Sequence, residues 1–186
     1  MSNSNPEPEP DQGDQEPKRE PIPGVLYSFY EDRAFVSCTR CGESLADFEE
    51  GYRISKNFKK GEVLVEYALC MPCLTAMLDE ASEESKKQLA EFQEKHYREG
   101  VSGFDECALC VRTKDEARND EFGLVGVCHG DDMVDSAMIC IDCMEAMAET
   151  MSEETRRTWD KFREENFPGV PSDFEPFPAR PAPSVL

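Results

Sequence analysis

Two stretches of the chain alternate between apolar and polar residues, and each has a turn signal at its centre. In the first, "YRIS" and "VLVEY" lie on either side of Lys60-Gly61, and in the second, "FGLVGV" and "MVDSAM" lie on either side of "HGDD". A period of two residues is typical of a β-strand with one buried face. The pattern therefore predicts two β-hairpins.

Apolar residues with helical spacing follow each hairpin. They are Leu74, Met77, Leu78 and Ala81 in the first stretch and Met144, Met147 and Met151 in the second. Ser82 and Ser152 each precede two glutamates, which is typical of a helix N-cap followed by acids in the first turn. We therefore predict a short helix, a break and a second helix ending near residue 97 or 167, with one continuous helix as the alternative.

The second half of the chain repeats the first. When Cys70 is placed on Cys140, "CMPCLTAMLDEASEESKKQLAEFQEKHY" aligns with "CIDCMEAMAETMSEETRRTWDKFREENF". The cysteine pairs further upstream align only after the offset is reduced by one position, so one insertion separates the copies. A repeat of this size indicates duplication of one structural unit. We predict an α+β fold made of two small metal-stabilised modules in tandem.

Eight of the nine cysteines form four Cys-x-x-Cys pairs, and the spacing between the pairs of one copy is the same in the other to within one position. Two pairs supply four thiolates, the tetrahedral sulfur set that Zn²⁺ takes in structural sites. Because the unit is duplicated, we expect each copy to close its own site, with an interleaved pairing as the alternative. The predicted ligands are Cys38, Cys41, Cys70 and Cys73 in the first copy and Cys107, Cys110, Cys140 and Cys143 in the second.

A two-cysteine turn, a hairpin and a helix carrying two more cysteines resemble the treble-clef zinc fingers. The resemblance covers Cys38 to about Met77 and Cys107 to about Met147. It implies that fold and one Zn²⁺ per module, two per chain, but no particular activity, since treble-clef modules bind nucleic acids or proteins and a few are enzymes. "CTRCG" also resembles the first turn of rubredoxin, an iron electron-transfer protein. The second pairs, "CMPCLTAM" and "CIDCMEAM", depart from rubredoxin because they run into helices.

The chain is strongly acidic, with 40 acidic and 20 basic residues and a formal net charge of −20. Such a charge repels phosphate backbones and disfavours nucleic-acid binding, for which the one candidate site is the basic group Arg53, Lys56, Lys59 and Lys60 in the first hairpin. A metal closed by four thiolates leaves no position for a catalytic water. We predict a non-enzymatic protein that binds a protein partner, with rubredoxin-like electron transfer through iron as the alternative.

Composition divides the chain into four parts. We expect residues 1–24 to be a disordered, acidic, Pro-rich tail, residues 25–100 and 101–168 to be the two zinc modules, and residues 169–186 to be a second Pro-rich tail. The sequence has no apolar run of membrane-spanning length and no signal-like N-terminus. We therefore expect a cytoplasmic protein without a membrane partner, in a reducing compartment where cysteine pairs bind metal rather than form disulfides.

Two groups of residues lie outside the predicted metal sites. Cys128, the ninth cysteine, stands beside His129, and we interpret it as a packing residue because no third group is evident that would orient a nucleophile and its base. The helix faces carrying Trp159, Phe162 and Phe167 would pack either against the other copy or against a second chain as a homodimer.

Overall fold

The computed structural model of the chain describes residues 19–96, 98 and 101–167. These residues form a mostly antiparallel sheet with four α-helices, which confirms the predicted α+β class. No helix among them is long and apolar enough to cross a membrane. The strands are β1 Glu20–Pro21, β2 Tyr52–Lys59, β3 Glu62–Cys70, β4 Gly103–Cys107, β5 Glu121–His129 and β6 Asp132–Cys140, and the helices are α1 Met71–Asp79, α2 Glu83–His96, α3 Ile141–Glu149 and α4 Glu153–Asn166.

The two predicted hairpins are confirmed and lie side by side in one sheet. β2 pairs with β3 and β5 pairs with β6, both antiparallel. β2 also pairs with β5, so the strand order is β1-β6-β5-β2-β3, with β4 parallel to β6. Apolar residues of both copies contribute to one core. The two copies therefore follow one another along the chain but share one sheet and one core.

An approximate two-fold axis relates the two copies within the sheet. Val125 is the counterpart of Ser55 in the second copy, and these two residues pair with each other. The ladder between β2 and β5 is therefore centred on this pair. The bulge that interrupts the first hairpin between Asn57 and Phe58 recurs at the equivalent position of the second hairpin, between Val127 and Cys128. Bulges are specific local features, and their equivalent positions support the duplication inferred from the sequence.

Each copy has two helices separated by a break, as predicted, and the continuous helix is wrong. The breaks lie at Ser82 and Ser152, whose hydroxyls cap the second helix of each copy. The Ser85 N–H donates to the Ser82 Oγ (3.2 Å), and the Thr155 N–H donates to the Ser152 Oγ (3.3 Å). These bonds satisfy N–H groups that the first helical turn leaves without an intrahelical acceptor.

The capping hydroxyls also join the two copies. The Oγ atoms of Ser82 and Ser152 lie 2.8 Å apart. The Ser82 N–H donates to the Thr155 Oγ1 (3.0 Å), and the Ser152 N–H donates to the Ser85 Oγ (2.8 Å). Ser85 and Thr155 are fully buried, and each bond has its reciprocal in the other copy. The approximate two-fold axis therefore extends from the sheet to the helices.

The two long helices bury their apolar faces unequally. Trp159 and Phe162 of α4 are buried, and the Phe162 ring lies 5.6 Å from the Tyr67 ring of β3 between centroids. Their counterparts in α2, Leu89 and Phe92, are only half-buried. Trp159 and Phe162 thus pack within the chain, and a homodimer through the helix faces stays a prediction.

The segment before the first cysteine pair covers part of the sheet. β1 pairs with β6, and Ile22 and Leu26 are buried. A Cβ at Gly126 of β5 would come within 2.5 Å of the Leu26 Cδ1, so a larger residue there would displace the buried Leu26 side chain. The last residues of the predicted tail 1–24 therefore belong to the fold. Residues 1–18 and the predicted tail 169–186 lie outside the described residues.

Candidate metal centres

The first cysteine pair of the first copy lies in a tight turn. The Cys38 N–H donates to the Glu43 carbonyl (2.8 Å), and the Gly42 N–H donates to the Cys38 carbonyl (2.8 Å). Gly42 has a φ of 76°, in the left-handed region that glycine adopts without a steric penalty. The turn folds the chain back on itself and brings Cys38 and Cys41 within reach of one ion.

The second copy repeats this turn with a different residue at the left-handed position. The Cys107 N–H donates to the Arg112 carbonyl (2.7 Å), and the Val111 N–H donates to the Cys107 carbonyl (2.8 Å). Val111 has a φ of 56°, which is rare for a β-branched residue. The hydrogen bonds are the same in the two copies, and the second turn carries backbone strain that the first does not.

The second cysteine pair of each copy lies at the start of a helix. Cys70 precedes α1 and Cys140 precedes α3, where the aligned N–H groups of the first turn favour negative charge. The Cys70 N–H approaches the Cys38 Sγ at 3.4 Å, and the Cys140 N–H approaches the Cys107 Sγ at the same distance. The predicted departure from rubredoxin, a helix after the second pair, is present in both copies.

The structure groups the eight predicted ligands into two clusters, one in each copy. Within each cluster the four Sγ atoms lie within 4.8 Å of one another. The Sγ atoms of Cys41 and Cys70 are 4.0 Å apart, and those of Cys110 and Cys140 are 3.6 Å apart. The cysteines are therefore gathered within each copy and not interleaved between copies, and either cluster can hold a metal ion.

The thiols of each cluster influence one another's protonation. Burial disfavours the thiolate of Cys38, but nearby backbone N–H donors, first that of Cys41, lower its pKa to about 7. Burial and the adjacent thiols raise the pKa of Cys73 well above its usual range. Hydrogen bonds from the Cys140 thiol and its neighbours hold the pKa of Cys107 far below the ordinary value, while the pKa of Cys140 rises to about 12. Four thiolates therefore need a compensating cation, and four sulfur donors fit Zn²⁺.

Basic residues beside the clusters pair with carboxylates. Arg40, inside the first turn, donates to the Cys73 carbonyl (3.3 Å) and pairs with Glu80 (2.6 Å). In the second copy the ion pairs are Arg112–Asp142, Arg118–Asp142 and Arg118–Glu145. The Arg40 and Arg112 contacts join each cysteine turn to the helix that carries its second cysteine pair, and solvent weakens them because they are exposed.

The basic group predicted in the first hairpin does not form a basic surface. Arg53 and Lys56 are buried, with 2% and 3% of their surface exposed. The Lys56 Nζ pairs with Glu66 at 2.9 Å, and Lys59 pairs with Glu121 at 3.0 Å. β2 is a central strand, and its Arg53 and Lys56 side chains lie inside the fold, whereas Lys59 at its end is exposed. Nucleic-acid binding through Lys59 and Lys60, the two exposed members of this group, stays a prediction.

An exposed aromatic turn, residues 27–30, lies near the start of the described chain. Phe29 and Tyr30 expose 68% and 86% of their surface, and their rings meet edge to face with centroids 5.8 Å apart. A bridge between Ser28 and Arg33 closes the turn. These residues were missed from the sequence, although two adjacent aromatic side chains in a polar stretch were the available signal.

Buried charges hold the aromatic turn against the sheet. The Phe29 N–H donates to both carboxylate oxygens of Glu66 at 2.9 Å, and the Ser28 hydroxyl donates to the same carboxylate at 2.9 Å. The Lys56 Nζ donates to the Tyr27 carbonyl at 2.5 Å. A buried ion pair is stable only when its remaining hydrogen-bonding positions are filled. The backbone of the aromatic turn supplies them and is fixed in return.

Cys128 is a packing residue, as the sequence indicated. It is fully buried in β5 and is not in a disulfide. Burial raises its pKa to about 12, so its thiol stays protonated at neutral pH. A buried, protonated thiol is inert as a nucleophile, and Cys128 is not a member of either cluster.

Comparisons with known proteins do not assign this chain to a family. No protein-family model matches this chain, and searches of curated proteins and of solved structures found no significant match. The two four-cysteine clusters are compatible with zinc-finger-like modules.

Proposed function

We propose that the protein is a non-catalytic protein-interaction module built on two structural zinc sites of treble-clef type. The observation that carries the proposal is the pair of clusters, each with four Sγ atoms within 4.8 Å of one another. Four sulfur donors complete a tetrahedron around Zn²⁺ and leave no open position for water or substrate. The metal would then stabilise the turn, the hairpin and the helix that each cluster joins.

Zinc is favoured over iron by the surroundings of the second cysteine pairs. Both pairs lie at the N-terminus of an α-helix, α1 or α3, instead of in a second turn of the rubredoxin kind. Metal content by mass spectrometry, on protein purified without added metal, tests the assignment. Two zinc ions per chain and no visible colour are expected. Iron with a thiolate charge-transfer band would overturn it, and so would protein that folds fully without metal.

The aromatic turn supports the second part of the proposal, binding of a protein partner. Burying Lys56 and Glu66 to fix a turn whose Phe29 and Tyr30 side chains face solvent does not serve the core of this chain. Rigid exposed aromatic residues are enriched at the energetic centres of protein interfaces. The net charge of −20 favours a partner with a positively charged surface around an apolar contact.

A double variant, Phe29→Ala with Tyr30→Ala, tests the interaction without touching a cysteine. Quantitative affinity purification from the native cells would compare it with the unmodified protein and with Val36→Ala, which removes an exposed apolar side chain outside residues 27–30. A basic protein retained by the unmodified chain and the control, and lost by the double variant, is the expected result. Equal recovery of every protein by all three would overturn the proposed role of the aromatic turn.

A further inference from the structure

The outer edge of β3 has a covered equivalent in the second copy, and the difference points to an occupant. We propose that Glu62–Val63 of β3 binds the chain's own segment 175–178 as an added antiparallel strand. This pairing involves the sheet alone and is independent of which metal the cysteine clusters hold.

The equivalent edge in the second copy is covered by β1. Glu20 pairs with Met133 and Pro21 with Asp132, and the Ile22 N–H donates to the Asp131 carbonyl at 3.3 Å. Hydrogen-bonded and non-hydrogen-bonded pairs alternate along an antiparallel ladder. Pro21 therefore occupies the non-bonded position, where its missing N–H would have pointed away from β6. A proline there also prevents a further strand from adding outside.

The edge of β3 offers the same geometry without a described occupant. Glu62 and Val63 are the counterparts of Asp132 and Met133, and both hairpins have their bulge at the equivalent position. Within the described part of the chain, β2 is the only strand that pairs with β3. Further along β3, the Thr39 N–H donates to the Ala68 carbonyl and the Ala68 N–H donates to the Thr39 Oγ1. By equivalence with Met133, Val63 directs its N–H and carbonyl outward.

The chain contains a second copy of the segment that covers β6. The covering residues read Glu-Pro-Ile-Pro at 20–23, and residues 175–178 read Glu-Pro-Phe-Pro. Both have an acidic residue, two prolines at the same spacing and one large apolar residue between them. Ile22, the apolar residue of the first segment, is 6% exposed in its position beside β6. Phe177 is the corresponding residue of the second segment.

The direction and the length of the chain suit this pairing. The Phe167 ring lies 5.9 Å from the Tyr67 ring of β3, so the chain approaches segment 175–178 from beside the same strand. Val63 is four positions from Tyr67, about 13 Å along a strand. The stretch between Phe167 and Glu175 spans up to about 25 Å when extended, which is sufficient. A chain running from Tyr67 toward Val63 is antiparallel to β3, as β1 is to β6.

Hydrogen exchange of the Val63 amide in the full chain tests the proposal. The amide of Met133, which β1 covers, is measured in the same spectrum and shows the protection expected of an occupied edge. We expect Val63 to be protected in the unmodified protein. In Phe177→Asp its exchange should be about tenfold faster, because a carboxylate cannot take the buried position that Ile22 occupies in the second copy. Phe174→Asp, outside the proposed strand, should leave it unchanged.

The alternatives give different results in the same experiment. Fast exchange at Val63 in the unmodified protein, or equal exchange in all three proteins, would overturn the proposal. Protection that depends on protein concentration would also overturn it, because the occupant would then be a second copy of the chain. Metal content measured on the same samples keeps this test separate from that of the proposed function, since neither phenylalanine is near a cysteine in the sequence.

Discussion

The first and second copies have the same hydrogen bonds at their cysteine turns and the same bulge, yet they differ in what lies on the sheet. β2 of the first copy carries Arg53 and Lys56, both buried, where β5 of the second carries Gly123 and Gly126. The cysteine turns have the same backbone hydrogen bonds in both copies, whereas the strand residues differ with the groups that pack on them. The comparison separates the part of the fold that the two copies share from the part in which they differ.

The two glycines of β5 leave space for neighbouring side chains. A Cβ at Gly123 would come within 2.6 Å of the Asn57 Oδ1, and one at Gly126 would come within 2.5 Å of the Leu26 Cδ1. Side chains of the first copy therefore occupy the space that side chains at these two positions of the second copy would fill. The first copy uses the Lys56 side chain to reach the Tyr27 carbonyl instead.

Removing one metal ligand from either copy should give the largest effect. Cys70→Ser and Cys140→Ser each break one cluster, and structural zinc contributes on the order of 10 kcal/mol of apparent folding free energy. Because the copies share one sheet through β2 and β5, we expect either variant to lose cooperative unfolding of the whole chain. Metal content and thermal unfolding by circular dichroism would show this.

Cys128→Ala is the matched control, since it removes a buried cysteine that belongs to neither cluster. It should keep both metal ions and lose only about 1–2 kcal/mol for the small cavity. A Cys70→Ser protein that retained two zinc ions would contradict the ligand assignment. If Cys140→Ser left the first copy folded with its own metal, the copies would be independent in spite of the shared sheet.

Local patterns in the sequence predicted the parts of this fold that depend on nearby residues. The cysteine spacing, the turns at the hairpin tips and the serines before two glutamates each depend on a few adjacent positions. The pairing of Ser55 with Val125 joins strands that are far apart in the chain, and no pattern of nearby residues shows which two strand edges will pair. Arg53 and Lys56 were interpreted as a surface patch for the same reason, since their burial follows from strand order alone.

Lys56→Met should give the second-largest effect and tests the buried ion pair between Lys56 and Glu66. The change removes one partner of a buried ion pair and leaves the Glu66 carboxylate without its cation. A loss of about 3–5 kcal/mol in the free energy of unfolding is expected for such a change. Urea unfolding would measure it, and increased backbone motion of the aromatic turn should accompany it.

Arg53→Met is the comparison variant on the same strand. Unlike Lys56→Met, it is not expected to lower the free energy of unfolding. Arg53 is buried, and its Nε and Nη1 have no hydrogen-bond partner among the described residues. Burial lowers the pKa of this arginine, and a hydrogen bond and charge interaction with Tyr67 act in the opposite direction. A methionine of similar length should leave stability unchanged or raise it by about 1–3 kcal/mol. A large loss would show that the interaction of Arg53 with Tyr67 outweighs the cost of burying the guanidinium.

The smallest effect concerns the left-handed position of the cysteine turns, which is glycine in the first copy and valine in the second. Val111 adopts the left-handed conformation that Gly42 adopts in the first copy, with φ of 56° against 76°. Left-handed backbone costs an L-residue about 1–2 kcal/mol, and glycine loses about 0.5–1 kcal/mol more conformational entropy on folding. Val111→Gly should therefore stabilise the second copy by up to about 1 kcal/mol, and Gly42→Val should destabilise the first by a similar amount.

Zinc competition with a chelator, read separately for the two sites, would detect this pair of changes. Val111→Gly should slow zinc loss from the second site and leave the first unaffected, while Gly42→Val should speed zinc loss from the first site alone. The exposed side chain of Val111 contributes little burial, so its removal does not obscure the backbone term. If Val111→Gly weakened the second site, the valine would be making a contact worth more than the strain it causes. The turns would then differ for a reason that lies outside the backbone.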